Sequence, residues 1–138
     1  MFKKMLALVA LAVAVVTVSV GGPEARAGGG DYRVRANLSG GTLASGKSTY
    51  RDRVRGNTIE QRFQVNVEDG TPGATVEIQI NGALFGTVVL NDLGAGEFSY
   101  RTVQFIDDPG DGDPIPTDFP RIESGWVITV GEMSGTFN

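Results

Sequence analysis

Ile59-Glu60-Gln61-Arg62-Phe63-Gln64-Val65-Asn66-Val67-Glu68 is the stretch that decides the fold. Ile59, Phe63, Val65 and Val67 fall on one side of an extended chain, and Glu60, Arg62, Gln64, Asn66 and Glu68 on the other. That period of two belongs to a half-buried β-strand. Gln61 is the one polar residue on the inward side. Upstream the pattern repeats. Tyr32, Val34, Ala36 and Leu38 alternate with Arg33, Arg35 and Asn37, and a second strand over 47–55 sets Tyr50 and Val54 against Arg51, Arg53 and Arg55. Asp52 falls on the inward side of that strand, which predicts an edge position or a bulge. Gly56-Asn57 turns the chain into the deciding stretch.

Downstream, Asp69-Gly70-Thr71-Pro72-Gly73 is a turn, and Val76, Ile78 and Ile80 again alternate with polar neighbours. Asn81-Gly82 is the strongest hairpin signal, because a type I′ turn needs positive φ at both central residues. Residues 83–90 are apolar on both faces apart from Thr87, which predicts a central strand or a covered one. A strand over 97–106 is followed by an acidic, Pro-rich loop over 107–125, a strand over 126–130 and a short last one over 135–138. Beyond residue 27 the chain holds 10 Val, 7 Ile and 10 Thr against 5 Leu and 5 Ala, a composition suited to pleated sheet and poor for helices. Seven or eight short strands of this kind predict an all-β fold, an antiparallel β-sandwich, with a small β-barrel as runner-up.

Ala74-Thr75-Val76-Glu77-Ile78-Gln79-Ile80-Asn81-Gly82, with Gly86-Thr87-Val88 and Gly94 to Phe98, resembles the strand–turn–strand rhythm of Ig-like modules in bacterial surface proteins. The resemblance implies a sandwich more than it implies adhesion. The inter-sheet cysteine pair of Ig domains has no counterpart here.

Residues 1–27 read as a secretory signal peptide. Lys3 and Lys4 precede an apolar run from Met5 to Val20, then Gly21-Gly22-Pro23 breaks the helix and Ala25-Arg26-Ala27 fits signal peptidase. The run is short for a membrane-spanning helix, although an uncleaved N-terminal anchor is the minor alternative. Cleavage after Ala27 leaves 28–138 as a single domain with no membrane span, exported to the periplasm or secreted.

The 138 residues include no histidine and no cysteine, which excludes Ser-His triads, imidazole bases, thiol nucleophiles and thiolate or imidazole metal sites. A carboxylate-dependent hydrolase is the enzyme alternative, and the sequence singles out no acid/base pair for it. The reading is therefore a non-enzyme. The net charge of -4 conceals an uneven distribution: residues 28–66 carry +4 and residues 67–138 carry -10.

Three features are candidate sites. Asp107, Asp108, Asp111 and Asp113, with two glycines among them, could supply oxygens to calcium, though the spacing fails the EF-hand pattern at Pro109. Arg51, Arg53 and Arg55, with Arg33, Arg35, Lys47 and Arg62, form an outward basic pattern suited either to internal charge pairing or to an anionic glycan or lipid. Trp126 could stack on a sugar ring, its alternative being a place in the core. Nucleic acid is excluded as a partner, since no aromatic platform interleaves the arginines. The expected function is a structural or interaction module at the cell envelope, whose partner is an envelope protein, a glycan or a second copy. The alternative is a calcium- or carbohydrate-binding module.

Overall fold

The computed structural model describes residues 31–41 and 44–138. The signal peptide expected over 1–27 lies outside them. The described chain forms nine strands: β1 (Tyr32–Leu38), β2 (Ser45–Arg55), β3 (Thr58–Glu68), β4 (Thr75–Ile80), β5 (Ala83–Val89), β6 (Gly96–Arg101), β7 (Asp113–Pro114), β8 (Val127–Val130) and β9 (Met133–Thr136). They build two sheets, one ordered β1-β2-β3-β6-β7 and one ordered β5-β4-β8-β9. All pairings are antiparallel except the two-residue contact of β6 with β7. The sheets pack face to face as a β-sandwich and do not close into a barrel.

Alternation explains the core. Val34, Ala36, Leu38, Tyr50, Phe63, Val65 and Val67 from the larger sheet meet Ile78, Ile80, Val88, Ile128 and Val130 from the smaller, all buried. Asn81 and Gly82 have φ of 51° and 87°, the positive pair that the type I′ hairpin demands. The sandwich is also stitched along one side. Ser39 and Ser134 exchange both backbone hydrogen bonds (3.1 and 2.8 Å), as do Arg35 and Asn138 (3.0 and 2.9 Å), so β1 of one sheet holds the chain beyond β9 of the other.

Four expectations need correction. First, β2 is an interior strand without a bulge, and Asp52 pairs in unbroken register with Tyr32 and Gln61. Its carboxylate is fully buried because it accepts hydrogen bonds from Arg121 Nε (3.1 Å) and the Tyr50 hydroxyl (3.0 Å). Second, β5 is an edge strand. The register shifts between Ile78 and Gln79, leaving Phe85 as an extra residue whose ring packs on Phe119 at 5.3 Å. One inserted apolar residue blurs the alternation and makes both faces read as buried.

Third, β6 stops at Arg101, where Thr102 Oγ1 accepts a hydrogen bond from the Gln61 backbone N–H (2.8 Å), and a 3₁₀ turn over Val103–Phe105 follows. Fourth, the acidic loop is more than a solvated connection. It buries Ile115, Phe119 and Ile122, and Phe119 lies against Tyr50, Phe63, Phe85 and Tyr100 with centroids 5.3–6.3 Å apart. The loop caps the core with an aromatic plug.

Where the turns after β3 and β5 meet, Gly70 donates a backbone hydrogen bond to Gly94 O (2.9 Å). Gly94 has φ of 76°, and any Cβ there would collide with the Gly70 backbone. Gly94→Ala is expected to lower stability by about 2 kcal/mol, read as a drop in the urea midpoint with unchanged slope.

Candidate functional site

The outward face of the larger sheet is set by a hairpin. Gly56-Asn57 joins β2 to β3 in two residues, with φ of 65° at Gly56, the sign that a type II′ turn asks of its first central position. A turn so short fixes the register. Arg55 lies opposite Thr58, Arg53 opposite Glu60, Arg51 opposite Arg62, Thr49 opposite Gln64 and Lys47 opposite Asn66. β1 then sets Arg33 opposite Arg51, and β6 sets Arg101 opposite Arg62. Four arginines therefore stand in one row across four strands. Like charges directly opposite one another weaken a sheet, so stability alone gives no reason for the row.

The face divides into two zones. In one zone Glu60 gathers three arginines. Arg53 Nε donates at 3.0 Å and Arg55 Nη1 at 3.2 Å to its Oε1, and Arg101 donates at 2.9 Å to its Oε2. Glu60 is only 4% exposed, although alternation points it outward. Burial by itself would raise its pKa, but the charged hydrogen bonds from Arg53, Arg101 and Arg55 outweigh that and hold it down to about 2. These arginines are committed to the fold.

The other zone is a groove of about 680 Å³. Arg33, Arg35, Lys47, Arg51 and Arg62 line it, with Asn37, Thr49, Gln64 and Asn66 between them. Its lining contains no carboxylate. Arg51 reaches out to Asp31 at 3.2 Å. Arg33, Arg35, Lys47 and Arg62 have no ion-pair partner among the described residues. The Nε atoms of Arg51 and Arg62 are buried without a hydrogen-bond acceptor. The groove offers charge and hydrogen-bond donors, the chemistry of holding an anion.

The sequence candidates fall in different places. Arg51 borders the groove, whereas Arg53 and Arg55 are held by Glu60. Trp126, just before β8 in the smaller sheet, is half-buried against the core and lines no part of the groove. Asp111 turns inward upon its own loop, its Oδ2 accepting the backbone N–H groups of Asp107 (2.9 Å) and Asp108 (3.1 Å). Those two hydrogen bonds hold the Asp111 carboxyl below its usual pKa. Among the described residues, which include Asp107, Asp108, Asp111 and Asp113, no group of three or more acidic side chains is placed to hold a metal ion.

Sequence reasoning placed Arg33, Arg35, Lys47 and Arg62 on the outward face but singled out Arg51, Arg53 and Arg55. The missed signal was the register that the two-residue turn at Gly56-Asn57 sets: counting outward from it pairs Arg53 with Glu60 and Arg51 with Arg62. A comparison with protein-family models found no match, and neither did a comparison with curated proteins.

Proposed function

We propose that this protein is an exported, non-catalytic interaction module that binds an anionic polymer at or outside the cell envelope. The export half of the reading rests on the signal-like order of residues 1–27. The binding half rests on one observation: the cross-strand row Arg33–Arg51–Arg62 lines a groove whose lining contains no carboxylate. A fold that evolved for stability alone would place acids opposite such a row, as Glu60 stands opposite Arg53.

Self-association through the uncharged edge strand β5 is the competing structural role. The Phe85 bulge counts against it, since bulges twist an edge away from partners.

The test is retention of the mature chain on dextran sulfate beads against neutral dextran at low salt. Retention on the anionic matrix alone is expected, with elution by moderate salt because exposed charge pairs are screened. Arg33→Gln combined with Arg62→Gln should elute at roughly half the salt or less while melting as the parent does. Equal behaviour of the parent on both matrices overturns the reading.

A further inference from the structure

We infer that the ligand of this groove is a linear acidic polysaccharide carrying one carboxylate on each sugar, laid across the strands along the arginine row. The inference rests on the anion-binding reading above and adds the ligand's repeat.

The spacing carries the argument. Adjacent strands lie about 4.8 Å apart, so Arg33 and Arg62, on β1 and β3 with β2 between, are separated by roughly twice that. A pyranose ring linked through opposite corners is comparable in length to the gap between neighbouring strands, so an extended uronic acid chain crosses about one strand per sugar. If it is ribbon-like, alternate carboxylates face the same way. Two carboxylates directed at the sheet then meet Arg33 and Arg62, the two members of the row that form no direct ion pair among the described residues. Arg51, between them, lies below the sugar whose carboxylate points away, and it is the member already paired, to Asp31.

The rest of the lining suits sugars as well. The next row pairs Arg35 with Thr49 and Thr49 with Gln64, and the one after pairs Asn37 with Lys47 and Lys47 with Asn66. Amides and hydroxyls interspersed with single cations match ring hydroxyls, which both donate and accept. A bare phosphate polymer has closer charges and no donors to match the groove's side-chain acceptors. No aromatic ring lines the groove, so bases have no stacking platform.

The experiment is calorimetric titration of the mature chain with four probes. These are a hexamer of galacturonate, the same hexamer with its carboxyl groups reduced to alcohols, a polyphosphate of equal charge, and phosphatidylglycerol vesicles. The inference expects the galacturonate hexamer to bind at least tenfold tighter than each of the others. Arg33→Gln and Arg62→Gln should each weaken it about fivefold or more, while Gln79→Ala on the opposite sheet leaves it unchanged. Polyphosphate or vesicles binding as tightly as the hexamer would overturn the polysaccharide assignment and leave the anion-binding face standing. Equal binding of the hexamer and its reduced form would overturn the role of the carboxylates. No binding to any anionic probe would overturn both the assignment and the reading beneath it.

Discussion

Asp52→Ala is expected to destabilise the sandwich by about 3–5 kcal/mol, enough to leave a domain of this size close to its unfolding threshold at 37 °C. The reason lies in what the carboxylate holds. Asp52 is fully buried, and Arg121, held to it at 3.1 Å, has its guanidinium carbon 3.6 Å above the centre of the Tyr32 ring. Tyr32 in turn donates its hydroxyl hydrogen to the carbonyl of Ile122 at 2.8 Å. Gln61 donates from Nε2 to the Tyr50 hydroxyl (3.0 Å) and to the Phe119 carbonyl (3.1 Å). Strands β1 and β3 thus hold the aromatic plug by its backbone, and Asp52 on β2 between them holds the Arg121 side chain. Removing one partner leaves a desolvated cation, which costs more than the pair contributes. Asp52→Leu combined with Arg121→Met is therefore expected to recover most of the loss. Urea denaturation of the two single variants and the double variant checks this. A double variant as unstable as the singles would show that the pair is required for more than mutual neutralisation.

The second large effect concerns acid. Glu60 is held to a pKa of about 2 against an ordinary value of 4.5. A folded-state pKa below the unfolded one means that the contribution is complete above pH 4.5 and disappears as pH falls toward 2. The shift corresponds to roughly 3 kcal/mol across that window. Glu60→Gln is expected to lose about that much at pH 7 and to flatten this part of the stability profile between pH 4.5 and 2. Guanidinium melts at a series of pH values measure it. The parent's steeper acid slope should fall to near the variant's once the other carboxylates are accounted for. Glu60→Gln also releases Arg53, Arg55 and Arg101 beside the groove, so retention on dextran sulfate should rise even as stability drops.

These two residues also show why the sequence was legible in some places and not in others. Alternation needs only strand geometry, so the inward set Val34, Phe63, Val65, Ile78 and Ile80 could be read directly. Asn81-Gly82 was equally plain, because few residues tolerate its dihedral angles. Asp52 was opaque because its partner, Arg121, is 69 residues away and no local rule brings them together. Glu60 sat on the correct face, yet its burial depends on three arginines, one from β6. Phe85 broke the rhythm of β5 because a bulge adds a residue without adding a signal. The site was legible as a pattern of arginines and illegible as a selection among them, because Arg55 and Arg101 reach Glu60 from positions that register sets opposite Thr58 and Arg62.

The bond between β1 and the residues past β9 imposes an order in time. Arg35 cannot complete its two backbone hydrogen bonds until Asn138 is present, and the same holds for Ser39 and Ser134. In a chain that emerges amino end first, β1 can pair with β2 early, but its other edge must wait for the last residues. Contacts so distant along the chain make folding slow. The side of the sandwich that joins its two sheets therefore closes last, when the carboxyl end arrives.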